Sequence, residues 1–497
     1  MPCLIYFLHN YFTFINTKNM KNLSQFDQDV AKLKQELNSD DINFLQLKIG
    51  KSKAYLIFAN DLVDKNAIGE LIMRPASRFK DSPNDKQFFD TFFCPEKKKI
   101  YELDQIVSEV VSGNAVIICD GRSFHISFGF KLFERRAITE PPTSTVVKGP
   151  REGFVESLPV NISLMRRRIK SECLVFENLS VGKYSKTPIA ICYVKGIAND
   201  KLIKEVRKKL KNIDCDAILD SSYVSKLLGC HPTSLFKQAG NTEKPDILAG
   251  KILEGRVAIL VDGSPIALTV PYLLIEDFQS ASDYYNSPYS ATFARMLRLF
   301  AVMIALLLPA MFVASELFHL QFIPLSFLLT IVNSIKGIPL SPSFEMFFTL
   351  FIFEILNEAS VRMPKYVGMV VSIVGGLVLG ETAVTAGIIS APALMIIAFS
   401  GICLYTVPEL EQTFALLRVL FLIVAGSMGV YGVIILISLL VTYLVSFENY
   451  STPILAPFSP LVKKDLKDTF YKGFLGEMKY RPKSLKNKNK KRIDVEE

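Results

Sequence analysis

Tryptophan is absent from this chain, and histidine occurs only as His9, His125, His231 and His319. The four histidines are far apart and suggest no metal site. Without tryptophan, tyrosine and phenylalanine must form any aromatic belt at a membrane surface. None of the eight cysteines forms a CxxC pair. Cys119 and Cys192 sit in apolar, strand-like runs, a reduced and buried usage that fits cytosol. There is no Walker loop, no GxSxG and no HExxH. Enzymatic chemistry is therefore not expected, and no cofactor is expected.

The largest deficit is of charge. Residues 297–447 contain no Asp and only twelve charged residues, while the other 346 residues hold the remaining 93 of the chain's 105. Runs such as MLRLFAVMIALLLPAMFVAS and VLFLIVAGSMGVYGVIILISLLVTYLV fit a bilayer, which takes about 20 apolar residues per crossing helix. An integral membrane protein is predicted, with a large polar region in front and a basic tail behind. From Lys463 to Glu497 the tail has twelve Lys/Arg against six Asp/Glu, a net +6. Beside a last span this reads as a cytoplasmic segment near anionic lipid, and nucleic-acid binding is not expected.

The expected organisation is as follows. Residues 1–19 precede a start at Met20. Residues 20–140 form one α/β subdomain, 141–175 a linker, and 176–272 a second α/β subdomain. Residues 273–296 approach the membrane, 297–447 form an all-α multi-pass transmembrane domain, and 448–497 a basic tail. The two subdomains read as tandem copies. IVSEVVSGNAVIICDG (106–121) matches LAGKILEGRVAILVDG (248–263), with Gly113 on Gly255 and Asp120-Gly121 on Asp262-Gly263 at an offset of 142. Each copy is a helix, a glycine stop, a buried strand and an Asp-Gly turn. QLKIGKSKAYLIFANDLVD (46–64) likewise matches NLSVGKYSKTPIAICYVKGIAND (178–200) in kind.

In the linker, Pro141 and Pro142 exclude a helix. Arg151 and Glu152 follow, and Asn161 to Lys170 suits a helix carrying Arg166, Arg167 and Arg168. Three successive arginines spread over about 200° of a helix surface. They read either as a solvated basic helix or as a contact to an acidic partner surface.

GPREGF, Asn161 and RRRI, with LNEASVRMP, VGGLVLGETAV and LAPFSP further on, resemble the A-subunit of the GerA family of spore germinant receptors. The resemblance runs from about Met20 to Pro460. TST at 143–145 departs from it where an acidic residue is expected, and residues 1–19 have no counterpart. The resemblance implies a subunit in the spore inner membrane, working with a permease-like B-subunit and a lipoprotein C-subunit to start germination. It also implies assembly into a homo-oligomeric, ligand-gated cation channel, five being the number it suggests. A stage V sporulation paralog that aids dipicolinic acid release is the nearest alternative, and neighbouring B- and C-subunit genes separate the two. A small secondary transporter is the other competing class, but one would show more spans and inverted repeats.

Four spans are predicted, at about 297–318, 366–386, 390–408 and 416–447, with five as the alternative. An even number puts both termini in the cytoplasm. Residues 320–361 read as interfacial or re-entrant helices, the alternative being a true span whose acids face the protein interior, and 416–447 as a single long helix that tilts or protrudes. Residues 366–390 are the most informative helix. Gly368, Ser372, Gly376, Gly380, Ala383 and Gly387 form a small-residue stripe suited to close packing. The opposite face carries Val374, Val378, Thr382 and Thr385, with Glu381 near it. That face reads either as lipid-facing or as a pore lining with an apolar constriction, hydroxyls and an acidic ring.

Overall fold

The computed structural model describes residues 24–79, 81–131, 148–363, 376, 378 and 380–492. The expected extension before Met20 and the Pro141-Pro142 part of the linker lie outside the described residues.

The soluble region is built on two five-stranded antiparallel sheets. The first contains β1 (Ile42–Ile49), β2 (Ser52–Ala59), β3 (Lys97–Ile100), β4 (Ala115–Cys119) and β5 (His125–Phe128), in the order β1-β2-β4-β5-β3. The second contains β6 (Leu174–Val181), β7 (Thr187–Val194), β8 (Gly240–Thr242), β9 (Val257–Val261) and β10 (Ala267–Val270), in the order β6-β7-β9-β10-β8. The two orders are the same, strand for strand. β4 and β9 are buried at every residue, as a central strand covered on both faces must be.

Helices α1 (Gln25–Glu36) and α2 (Leu103–Val111) cover one face of the first sheet with Val30, Leu33, Ile106 and Val110. In the second subdomain, α3 (Leu158–Arg168) and α6 (Pro245–Leu253) cover one face. α4 (Asp200–Lys211) and α5 (Ser221–Leu228) cover the other. Gly113 and Gly255 stop α2 and α6 with φ of +88° and +98°. Gly121 and Gly263 make the Asp-Gly turns with φ of +72° and +84°, the left-handed region that glycine enters without a Cβ clash. Each turn is tied down alike: Asp120 donates its N–H to the Lys53 carbonyl at 2.8 Å, and Asp262 to Pro188 at 3.0 Å.

The stretch expected as a linker is mostly structure. Asn161 grips the Val155 backbone twice, accepting from its N–H at 2.9 Å and donating to its carbonyl at 2.6 Å. The Leu158 N–H donates to Asp262 at 3.0 Å. Helix α3 thus packs as part of the second subdomain. Arg166 on α3 is 1 % exposed and forks onto Asp41, with two N–H donations of 2.8 Å. The expectation that the arginines are solvated or contact an outside partner fails for this residue, because its acidic partner lies in the same chain. Arg167 and Arg168 reach Glu152 at 3.3 and 2.8 Å, and Arg151 is exposed.

Behind the soluble region lie α7 (Pro288–Phe318), α8 (Leu325–Ile335), α9 (Pro342–Arg362), α10 (Ala391–Leu404) and α11 (Glu411–Ser446). Among the described residues, two stretches are long and apolar enough to cross a membrane, Pro288–Phe318 and Pro408–Ser446. The second is not the single tilted helix that was expected. Gly429 interrupts α11 at φ 62° and ψ −150°, a conformation open essentially to glycine alone. Thr413 donates to the Leu235 carbonyl at 2.9 Å, and Tyr443 to Ser234 at 3.1 Å. A straight helix would hold residues 413 and 443 about 45 Å apart. The chain therefore doubles back at Gly429, and a Cβ on Gly432 would lie 3.1 Å from the Val424 carbonyl oxygen. The 411–428 and 430–446 arms run side by side.

The basic tail packs on the protein. Lys488 donates its N–H to the Ile197 carbonyl at 3.1 Å, Asn487 donates to Glu254 at 2.6 Å, and Arg481 to Leu253 at 2.8 Å. Residues 481–492 strap onto the second subdomain.

Candidate functional site: the junction and the open helix face

Apart from the Arg418–Glu354 pair and the Ser390–Glu345 contact inside the bundle, polar groups gather against it in two places among the described residues. The first is its junction with the second subdomain. The loop after α5 drives Phe236 into the bundle core among Leu273, Leu410, Phe414 and Leu417. Next to it, Lys237 bridges Asp277 and Glu409, 2.7 Å from each. Glu276 is buried between Lys251, at 2.7 Å, and Arg256. These residues line a cavity of about 1110 Å³ that reaches residues 406–413 of the bundle.

The neighbouring carboxyls respond in opposite directions. Burial would raise Glu276, but the Arg256 and Lys251 charges overcome it and hold the carboxyl down at about 2. Burial pushes Asp277 up to about 6, with Lys237 opposing. Glu276 therefore contributes stability that is present above its unfolded value of 4.5 and is lost as pH falls toward 2. Asp277 does the reverse: its contribution is full below 3.8 and is lost as pH rises through about 6. Thermal unfolding of the full chain across pH should separate them. Asp277→Asn should flatten the loss between pH 4 and 6. Glu276→Gln should lower the midpoint at neutral pH, because Arg256 and Lys251 lose their shared counter-charge. Parallel pH profiles for the two variants would refute this assignment.

The second place is the helical stretch 376–386. Gly380 is buried, and a Cβ there would lie 3.2 Å from Leu394 of α10. Val378 is 52 % exposed, and Glu381, Thr382 and Thr385 are exposed with it. Thr382 and Thr385 return their hydroxyls to the Val378 and Glu381 carbonyls, at 2.5 and 2.8 Å. Gly387 ends the stretch at φ 66°. Gly376 is exposed, with no described residue within 4 Å of a Cβ there. Ser372 and Val374 lie outside the described residues.

Sequence reasoning missed Asp41, Lys237 and Glu409 as partners. Glu276 and Asp277 fall in the stretch expected only to approach the membrane. Glu409 falls beyond the third of the four expected spans, away from the soluble region, but its ion pair with Lys237 holds it against the second subdomain.

The fold and these two places define a two-sheet α/β unit seated on an apolar helical bundle through a buried charge network. The chain belongs to the Bacillus/Clostridium GerA spore germination protein family, whose model matches residues 31–484. It is 35 % identical to Spore germination protein KA of Bacillus subtilis (strain 168) over 475 residues, 94 % of this chain and 87 % of that protein. Spore germination protein GerQA of Bacillus cereus is 32 % identical over 474 residues, 95 % of this chain and 94 % of that one. Among solved structures, the N-terminal domain of the A subunit of the Bacillus megaterium spore germinant receptor GerK3 is 31 % identical. That likeness covers 49 % of this chain and 94 % of that one, with a TM-score of 0.37.

Proposed function

We propose that this chain is the A-subunit of a germinant receptor in the spore inner membrane, and that copies of it assemble around a cation path bordered by the open face of residues 376–386. The face itself carries the reading. Val378, Glu381, Thr382 and Thr385 are exposed on a bundle whose exposed side chains are otherwise mostly apolar. A carboxylate turned to hydrocarbon is costly, and a ring of copies would turn it to water instead. Five copies is the number the family resemblance implies. A permease-like B-subunit and a lipoprotein C-subunit are the partners proposed with it. The names of the relatives support the germination role.

The contacts support six crossings in place of four or five. α7 leaves the soluble region at Pro288 and ends at Phe318, whose ring lies 3.0 Å from a Cβ on Gly429. α9 starts at that far level, with Ser343 beside Gly426, and returns to where Asn357 donates to Glu411 at 2.8 Å. The chain is again at the far level at Ser390, whose N–H donates to Glu345 at 2.6 Å. α10 descends to Glu409, and the two arms of α11 go out and back. This arrangement puts Arg362 on the same side as the soluble region, where the four-span layout did not, and it agrees with the excess of cytoplasmic Lys/Arg. Both termini are then cytoplasmic.

Thiol labelling in sealed vesicles tests the layout in a Cys230→Ser background. Gln412→Cys should react with an impermeant reagent from the side of the tail, and Gly337→Cys from the opposite side. Labelling of both from one side would sink it.

A further inference from the structure

The aromatic end of α7 and the tail packed on it leave an exposed surface that the cation path does not use. Tyr289, Phe293, Met296, Leu297, Phe300 and Met303 are all exposed, from 36 % at Met296 to 76 % at Tyr289. Their spacing puts them within about 120° of one another on the helix. The charges of this stretch lie on the other side. Arg295 is 1 % exposed and Arg298 half-buried, and both hold Asp283, at 3.1 and 2.6 Å. From Leu297 to Phe318 is about 32 Å at 1.5 Å per residue, close to the roughly 30 Å of hydrocarbon in a bilayer. Phe293 and Tyr289 then fall about 6 and 12 Å outside it, at headgroup depth and just beyond.

The tail returns to this same level. Arg295 donates to the Thr469 carbonyl at 2.8 Å and pairs with Asp468 at 3.0 Å. Lys472 donates its N–H to Thr292 at 3.1 Å. Phe474 meets Tyr289 edge-on, with ring centroids 5.9 Å apart. Phe474 and Tyr471 stay 44 % and 47 % exposed beside the α7 stripe. Lys463, Lys464 and Lys467 are exposed on the same segment. Two of its acids are engaged elsewhere. Asp465 accepts from the Lys483 and Ser484 N–H groups, at 3.0 and 2.9 Å, and Asp468 is held by Arg295. Glu477 is 3.9 Å from Lys467. Facing outward are the aromatic rings and the lysines, with Glu477 exposed beside Lys467, continuous with an apolar helix face.

We propose that tail residues 461–480 are a membrane-surface element, seated at the headgroups of an anionic leaflet by Tyr471 and Phe474 beside Tyr289 and Phe293, with the lysines toward the lipid phosphates. Aromatic rings favour that depth, and lysines near an anionic surface are attracted to it. The inference rests on the reading of α7 as a membrane span. It gives the tail a second task besides strapping the second subdomain: it fixes how deep the first helix sits.

The absence of tryptophan makes the test clean. Phe474→Trp and, separately, Phe300→Trp each place a single tryptophan in the full chain. Each variant is reconstituted in phosphatidylcholine vesicles with and without phosphatidylglycerol, using lipids brominated near the ester end or near the methyl end of the acyl chain. Position 474 should be quenched by the ester-end bromines and little by the methyl-end ones, whereas position 300 should be quenched more by the deeper bromines. Phosphatidylglycerol should increase quenching at 474. Changing Lys463, Lys464 and Lys467 to Gln should abolish that increase. Quenching at 300 without quenching at 474 overturns the proposal and leaves the span standing. Quenching at neither overturns the span reading itself. Emission at 474 that shifts with protein density and not with lipid shows a second copy as the occupant, which also overturns it.

Discussion

Val378→Ala should make resting spores leak cations and germinate without nutrient, and Val378→Phe should hold them closed. Position 378 is 52 % exposed in the single chain, so its side chain contacts whatever surrounds the bundle. In the proposed assembly the surroundings are the same face of neighbouring copies. A ring of valines blocks ions because water must be stripped from them and the wall offers nothing in exchange. Alanine widens and wets that ring, and phenylalanine narrows it. Glu381→Gln should leave assembly intact and weaken cation preference, since the ring loses charge and keeps its size. Gly380→Leu is the control for packing. A Cβ at 380 already lies 3.2 Å from Leu394, so a leucine should separate this stretch from α10 and impair assembly. If the face meets lipid, Val378→Ala changes almost nothing, because trimming a methyl-bearing side chain in hydrocarbon is tolerated. Conductance in vesicles and germination of spores carrying each variant decide it. An unchanged leak in Val378→Ala sinks the pore assignment.

The sheets were legible because glycine and aspartate mark turns that few other residues can make. Gly113, Gly255, Gly121 and Gly263 announced two copies at one offset, and the shared strand order follows from that pattern. The bundle was less legible for a physical reason. A reversal within an apolar layer needs no polar loop when one glycine can supply the angle. Gly429 lies in GSMGVYG among several glycines, and hydropathy runs through it without a break. Residues 416–447 therefore read as one helix too long for the bilayer, when they are parts of two short arms. The open face of 376–386 was readable from helical spacing, since Gly380 and Val378 fall on opposite sides. The junction was not, because Lys237, Asp277 and Glu409 are far apart in the chain and meet only once Phe236 is inserted. Asp41 and Arg166, 125 residues apart, are the same kind of case.

Arg166→Ala should cost about 3–5 kcal/mol of stability, the range for a buried pair stripped of one partner. Arg166 is 1 % exposed and Asp41 3 % exposed, so water cannot replace the lost cation. The guanidinium also donates to Ser39 at 3.1 Å and to the Ser171 carbonyl at 3.3 Å. Ser39 in turn accepts from the Phe176 N–H at 2.8 Å, and Asp40 donates its own N–H to the Phe176 carbonyl at 2.9 Å. Asn178 donates its N–H to the Asp40 carboxylate at 2.8 Å. Residues 39–41 of the first subdomain thereby cap the free edge of β6 in the second, and Arg166 holds the cap. Arg166→Lys keeps the charge but loses the two-pronged geometry, so it should recover only part of the loss. Arg166→Met combined with Asp41→Leu removes both charges and should recover most of it, since an apolar pair of similar volume needs no counter-ion. Thermal unfolding of the full chain measures the cost, and hydrogen exchange at the Phe176 and Asn178 amides locates it. Faster exchange there in Arg166→Ala, with the first sheet still protected, would mean that the subdomains part along β6 before either unfolds. Wild-type exchange and an unchanged midpoint in Arg166→Ala would show that the edge is held without the ion pair.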